Sequence, residues 1–421
     1  MPIRSPSLAM HTYMADDDTA PRPHHQFTTH RVILLLTAPR HSMATRSAAA
    51  VWAGSGWAAP QPCRPLTVRR RKLPRLPCYL STTFPPCPGI CTSSSHKNRA
   101  LPAAATEAET EDEVLLESPG HFRIYKCGKM DRLNEPTVSP AGLDEATGVT
   151  SRDVVLDADT GVSVRLYLPK LREPSEKLPV LVYFHGGAFL IGSADDATYH
   201  SYVNALAAAA GVLVVSADYR LAPEHPLPTA YNDCWAALQW TVAPSTQDEW
   251  IARHGDTARL FLAGDSAGAN IVHEMLVRAA AAASGPRMEG AVLLHPWFSG
   301  SEAIEGEPPA VPMFNGMIWS YTCPGAVGGA DDPRINPLAP GASSLEKLAC
   351  ERMLVCAAEK DVLARRIRAY YEGVAAGACR APGAAAWFES EGEDHDFFLG
   401  KTDCERAKQL LDRVAAFIAE G

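Results

Sequence analysis

"FLAGDSAGANIVHEML", residues 261–276, is the stretch on which the fold turns. An apolar run that reads as a buried strand leads into Gly-Asp-Ser-Ala-Gly, and a helical pattern follows without interruption. A parallel strand that meets its helix in so few residues leaves the central side chain in an unfavourable backbone geometry. Gly264 and Gly268, two before and two after Ser266, remove the Cβ atoms that would clash there. The serine oxygen is then exposed at the carboxyl edge of the sheet, and the amino end of the helix faces any negative charge that develops beside it. By itself GxSxG is also a way to pack a strand closely on a helix. The reading as a nucleophile elbow therefore requires partners elsewhere in the chain.

Strands and helices alternate around this stretch. "HFRIYKCGKMDRL" (121–133) and "SRDVVLDADTGVSVRLYLP" (151–169) alternate apolar and polar residues as half-buried strands do. "LPVLVYF" (178–184) is a nearly continuous apolar run, as expected of a strand covered on both faces. A helix over 198–210, a strand in "GVLVVSADY" (211–219), a helix over 230–242 and the strand "RLFLAG" (259–264) lead to the serine. Beyond its helix come strands "GAVLLHPW" (290–297), "RMLVCAAE" (352–359) and "AAWFESE" (385–391), with helices expected over 362–375 and 403–419. Buried-type strands alternating with helices predict one α/β domain with a mostly parallel central sheet flanked by helices.

A serine hydroxyl needs a base, and the base needs an orienting acid, in the chain order Ser, Asp/Glu, His. Asp361 stands just past the strand "RMLVCAAE", and His395 stands in the loop after the next one, in "EGEDHDFFLG". Both fall at the same edge of the sheet as Ser266. Glu359, Asp394 and Asp396 compete with Asp361 as the orienting acid; Glu359 lies nearer the strand, and the other two are too close in sequence to reach round to Nδ1. The third requirement is a cradle for the oxyanion. "HGGA" at 185–188 directly follows the strand 178–184, where missing side chains let backbone N–H groups approach a substrate oxygen. Gly186, Gly187 and Ala267 are the expected donors, with His185 bracing the loop.

"HGGAF", "SADYRLAPEHPLPTAYND", "GDSAGAN" and "HDFF", in that order and spacing, resemble the plant carboxylesterase branch of the hormone-sensitive-lipase-like α/β-hydrolases, related to gibberellin receptors. The resemblance spans 112–421. It implies an α/β-hydrolase domain whose helical cap is built from the N-terminal segment and an insertion at about 300–345. It further implies a serine carboxylesterase that hydrolyses small carboxylic esters, with Ser266 as nucleophile, His395 as base and acid and Asp361 as orienter. Many relatives have a third glycine where this chain has Ala188, whose methyl should narrow the acyl side without removing an N–H. Non-hydrolases in the same group supply the alternatives. Gibberellin receptors lack the histidine that is present here as His395, and some isoflavonoid dehydratases carry threonine where this chain has Ser266. A lactone-forming transferase acting on glucose esters is a further possibility within the fold.

Residues 311–321 ("VPMFNGMIWSY") are unusually apolar and fall in the expected cap insertion. Met313, Met317 and Trp319 are candidate pocket lining, with packing within the cap as the alternative, and Ala188 and Phe189 are further candidate lining residues. His295 is expected to be structural rather than a second base, His273 to pack or face solvent, and Asp265 to hydrogen-bond beside the serine. No GxxxxGK[ST] and no GxGxxG after a strand occurs, and the histidines at 24, 25 and 30 lack metal-site spacing. No metal or organic cofactor is expected.

Composition bounds the rest. The hydrophobic fraction of 46% with 21% charged residues is that of an ordinary globular protein, and the net charge of −9 gives no reason to expect nucleic acid as a partner. No run approaches the roughly 20 apolar residues of a membrane span. The 11 cysteines show no CxxC pair and read as reduced thiols of an intracellular protein. The charge is uneven: Asp16, Asp17 and Asp18 are the only acids before Glu107, in a segment rich in Pro, Ser and Arg. Residues 1–111 are expected to be a disordered leader, read as an organelle transit peptide, as an unstructured extension or as a start placed too far upstream. Location is accordingly cytoplasmic, or plastid if the leader targets. The expected partner is a small-molecule ester; oligomeric state is not encoded in any motif.

Overall fold

The computed structural model describes residues 113–133, 136–243, 248–377 and 384–420. The leader expected over 1–111, with its transit-peptide reading, lies outside the described residues.

Eight strands form one sheet: β4 (Thr150–Val155), β5 (Ser163–Leu168), β6 (Leu178–Phe184), β7 (Leu213–Asp218), β8 (Gly255–Asp265), β9 (Met288–Leu294), β10 (Cys350–Ala358) and β11 (Ala385–Ser390). Their spatial order is β11-β10-β9-β8-β6-β7-β5-β4. From β11 to β7 every neighbour is parallel; β5 joins β7, and β4 joins β5, antiparallel. Three shorter strands, β1 (Val114–Ser118), β2 (Phe122–Tyr125) and β3 (Met130–Arg132), make a separate antiparallel sheet.

The apolar runs of the sequence follow from two-sided burial. In β6, Val180, Val182 and Phe184 enter one core while Leu181 and Tyr183 enter the other. The same division separates Leu260 and Leu262 from Phe261 and Ala263 in β8, and Met353 and Val355 from Leu354 and Cys356 in β10. Helices α2 (Thr229–Val242), α4 (Ala267–Ala281) and α6 (Ala364–Ala375) cover the first face; α1 (Ala197–Ala210) and α8 (Glu405–Ala419) cover the second. Each fully buried Val or Leu is worth about 1.5–3 kcal/mol relative to exposure, so the central strands hold the sheet rigid beneath its rim.

The remaining helices are α3 (Glu249–His254), α5 (Ala310–Thr322) and α7 (Phe397–Gly400). α3 is absent from the sequence reading because its 6 residues, less than two turns, give little periodicity; Asp248 caps it by accepting from Trp250 N–H. Within the insertion expected at about 300–345, the structure has α5 and a short 3-10 turn at Gly329–Asp331. The Tyr321 hydroxyl on α5 donates to Gly128 O at 2.8 Å, tying α5 to the β2–β3 turn. Arg132 of β3 donates to Leu190 O at 2.8 Å and Ala222 O at 3.1 Å, which anchors the small sheet to the loops that follow β6 and β7. Among the described residues no helix is long and apolar enough to cross a membrane.

β6 has β7 on one side and β8 on the other, so the direction of strand addition reverses between β6 and β8. Connections leave the two carboxyl ends in opposite directions there and open a crevice, the usual ligand position in such sheets. "HGGA" follows β6 and Ser266 follows β8, so the fold brings them together at that crevice.

Candidate active site

The turn between β8 and α4 is held from all sides. Ser266 has φ 50° and ψ −113°, a conformation that a non-glycine residue keeps only when its surroundings enforce it. Its N–H donates to Leu294 O at 2.9 Å, and its carbonyl accepts from Asn270 N–H at 3.1 Å and Trp297 N–H at 3.0 Å. A Cβ on Gly264 would stand 2.7 Å from Phe184 O, and one on Gly268 would overlap that same oxygen. Both glycines are thus required by close approach of backbone to backbone.

Asp361 lies beyond β10, where its Oδ1 accepts Leu363 N–H at 2.8 Å. Its Oδ2 is 2.7 Å from Nδ1 of His395, which lies beyond β11. Nε2 of His395 is 2.9 Å from Ser266 Oγ. With Nδ1–H donated to the carboxylate, Nε2 turns its lone pair to the serine hydroxyl. Burial alone would lower the His395 pKa, but the charges and hydrogen bonds of Asp361 and Asp396 outweigh it and hold the imidazole well above its ordinary 6.5. The three side chains named from the sequence therefore meet.

The competing acids are placed elsewhere. Glu359 accepts Gly392 N–H at 2.7 Å, and Asp394 is exposed. Asp396 does reach His395, with Oδ2 3.1 Å from Nε2 and not at Nδ1. His295 is fully buried; its Nδ1 accepts Asp396 N–H at 2.8 Å. His273 is buried and its Nδ1 lies 3.0 Å from the Tyr370 hydroxyl, so it packs and does not face solvent.

The expected amide cradle needs one correction. The Gly186 N–H is already committed, donating to Asp265 Oδ2 at 3.1 Å and to the Tyr199 hydroxyl oxygen at 3.0 Å. Among the described residues the N–H groups of Gly187 and Ala188 have no acceptor. Ala267 N–H opens α4 and has no acceptor within the helix. The amides left for a substrate oxygen are those of Gly187, Ala188 and Ala267, one position later along the loop than the sequence suggests. Positive φ at Gly187 (100°) and Ala188 (54°) turns the chain there.

Asp265 explains the shift. Fully buried, it accepts the Tyr183 hydroxyl at 2.7 Å, the Tyr199 hydroxyl at 3.0 Å and the Gly186 amide, so it clamps the loop against the elbow. Burial and the charge of Asp396 push its carboxyl up to about 8, against the pull of the two hydroxyls. His185 braces the same loop by stacking on Tyr219, with ring centroids 4.2 Å apart, while the Tyr219 hydroxyl donates to His185 O at 2.7 Å. Tyr183, Tyr199 and Tyr219 escape a sequence reading because each sits on a different element and no spacing links them to Asp265.

The candidate pocket residues divide. Phe189 is fully buried and packs on Tyr231 and Trp297, at 5.4 and 6.0 Å between centroids, which leaves no surface for a ligand. Trp319 is likewise fully buried, against Trp297 at 6.3 Å. Both side chains are packed into the core cluster on the same face of the sheet. Met317 is half-buried against the core, and Met313 is 57% exposed at the surface. Of the five, Ala188 alone belongs to the amide cradle.

Among the described residues the one trio that could converge on a cation is His295, Asp361 and His395. Asp361 and His395 spend their facing atoms on each other, as a proton relay does.

Comparison with known proteins identifies the family. A profile for the alpha/beta hydrolase fold matches residues 181–399. A 2-hydroxyisoflavanone dehydratase of Glycyrrhiza echinata is 42% identical over 331 residues, covering 75% of this chain and 99% of that one. A probable carboxylesterase 2 of Arabidopsis thaliana is 40% identical over 312 residues, covering 73% and 98%. Among solved structures, the esterase LipW from Mycobacterium marinum superposes with a TM-score of 0.54 at 26% identity, over 65% of this chain and 82% of that one. With Ser266 at the strand–helix turn, His395 in contact with it and the amide loop beside them, the chain belongs to the α/β-hydrolase family, among its carboxylesterases.

Proposed function

We propose that this carboxylic ester hydrolase works through an acyl-enzyme formed on Ser266. The observation that carries the reading is the continuous line from Asp361 through His395 to Ser266, with links of 2.7 and 2.9 Å. Ser266 Oγ attacks the acyl carbon while its proton passes to His395 Nε2, and the carbonyl electron pair moves onto oxygen. The N–H groups of Gly187, Ala188 and Ala267 receive that oxyanion, a kind of contact worth about 2.7–4 kcal/mol per donor in the transition state. As the acyl–oxygen bond to the alcohol breaks, the leaving oxygen takes the Nε2 proton. Water then gives its proton to Nε2, attacks the acyl carbon, and Ser266 leaves with the proton restored. Asp361 keeps Nδ1 protonated and the ring in place throughout.

The small sheet β1–β3 and helix α5, joined through Tyr321 and Gly128, serve as the cap in this reading. The methyl of Ala188 favours small acyl groups by occupying space beside the oxyanion loop. The experiment is hydrolysis of p-nitrophenyl esters of graded acyl length by the wild type and by Ser266→Ala. Turnover should fall by about 10⁴–10⁶-fold in the variant; equal turnover in both rules out the acyl-enzyme.

A second reading is supported by the relative at 42% identity that is named a 2-hydroxyisoflavanone dehydratase. The same imidazole could remove a proton beside a carbonyl whose oxygen rests on the same amides. Faster conversion of a 2-hydroxyisoflavanone than of any ester in the panel would favour it.

A further inference from the structure

His395 has two carboxylates, and they touch different nitrogens. Asp361 Oδ2 lies 2.7 Å from Nδ1; Asp396 Oδ2 lies 3.1 Å from Nε2, the nitrogen that also meets Ser266 Oγ at 2.9 Å. In the neutral ring Nδ1 holds the proton and Nε2 offers a lone pair. A carboxylate oxygen beside that lone pair is then one acceptor facing another. The contact becomes attractive only when Nε2 carries a proton, and a charge-assisted bond is then the strong kind.

Asp396 is not there by drift. Its φ of 49° is the left-handed conformation, and its N–H is held by His295 Nδ1 at 2.8 Å. His295 in turn is fixed by donating its own N–H to Cys356 O at 3.0 Å and by stacking on Phe397 at 5.9 Å between centroids. The Asp396 side chain is only 18% exposed. Every element around the imidazole contributes a group: Asp361 from beyond β10, Ser266 and Asp265 from the end of β8, His295 from beyond β9, and Asp396 beside it.

We infer that Asp396 is a positioning residue of the reaction: its carboxylate accepts the Nε2–H of protonated His395 and so sets the pH below which the site stops working. This role rests on the acyl-enzyme reading. When Ser266 Oγ bonds to the acyl carbon, its proton reaches Nε2 and the Nε2–H bonds to Asp396 Oδ2. When the alcohol leaves, that proton goes to the departing oxygen and the bond to Asp396 is lost. Asp396 takes up no proton in the cycle. It stabilises the imidazolium in the transition state and equally in the resting enzyme, where a protonated base cannot act. The consequence is a site suited to alkaline pH and silenced as the pH falls. Burial would raise the Asp396 carboxyl, yet the neighbouring imidazolium holds it well below the usual carboxylate range, as such a pair requires.

The test is Asp396→Asn, which keeps the shape and tolerates the positive φ. Two readouts are taken: the NMR titration of the His395 ring, assigned by its loss in His395→Gln, and kcat/KM for p-nitrophenyl acetate against pH. Both midpoints should move down by roughly one to three units. Asp394→Asn removes an exposed charge one residue away on the other side and should leave both midpoints in place. An unmoved midpoint in Asp396→Asn overturns the inference, as does an equal shift in Asp394→Asn. A wild-type ring midpoint at or below about 6.5 overturns it without any variant. A shifted ring midpoint with no ester turnover by the wild type upholds the Asp396 contact and overturns the acyl-enzyme reading alone.

Discussion

Gly268, in the first turn of α4, lies so close to the carbonyl oxygen of Phe184, the last residue of β6, that a Cβ on it would overlap that oxygen. This approach is what sets the serine turn beside the amide loop, because His185 and Gly186 begin where Phe184 ends. Gly268→Ala should therefore shift two backbones that have no slack, at a cost of about 3 kcal/mol or more. Urea unfolding would measure it, and a midpoint equal to that of the wild type would show that the approach is not needed.

The protonation state of His395 gives a signed pH prediction. Its folded pKa is raised above the unfolded 6.5 by Asp361 and Asp396, against the opposing effect of burial. The base must be neutral, so kcat/KM should fall as pH drops through a midpoint above 6.5. Stability runs the other way. The contribution of this group is complete below 6.5 and is lost as pH rises through the raised folded pKa. A rate profile that stays flat from about pH 5 to 8, while the protein remains folded, would exclude His395 as the base.

Asp265 is fully buried and holds the loop through its hydrogen bonds. Asp265→Asn puts an amide where Tyr183, Tyr199 and the Gly186 N–H all donate, so at least one donor loses its partner. The expected result is a fall in kcat of about tenfold or more with KM nearly unchanged, because the amides of Gly187 and Ala188 act mainly on the transition state. Tyr199→Phe should give a smaller fall of the same kind. A rise in KM at constant kcat would mean that the residue shapes binding instead.

Arg366 of α6 and Glu307 form a buried ion pair, with Nε 2.9 Å from Oε1, and Arg366 also donates to Glu302 O. The pair ties the segment before α5 to the helix that follows Asp361. Glu307→Ala leaves a buried guanidinium uncompensated and should cost about 3–5 kcal/mol. Replacing both partners by Met should recover much of that loss. Thermal unfolding of the two variants decides it; equal melting temperatures would contradict the account.

The layered α/β architecture is legible in the chain, because continuous apolar strands between amphipathic helices can be buried in few other ways. Also legible is which serine, histidine and acid could meet. Strand ends in a parallel sheet share one rim, and Ser266, Asp361 and His395 each follow a strand. The glycines at 264 and 268 were legible for a local reason, since a strand–helix turn this tight excludes Cβ atoms whatever surrounds it. The remaining features were decided by groups that converge from distant parts of the chain. Gly186 rather than Gly187 gives up its amide because Asp265 and Tyr199, from β8 and α1, happen to lie against it. Asp396 faces Nε2 rather than Nδ1 because His295, beyond β9, fixes its backbone. Trp319 fills a wall while Met313 faces solvent, a difference set by which side of α5 meets Trp297. Hydrogen-bond direction and side-chain burial depend on three-dimensional neighbours, and a one-dimensional pattern carries only those that are local or periodic.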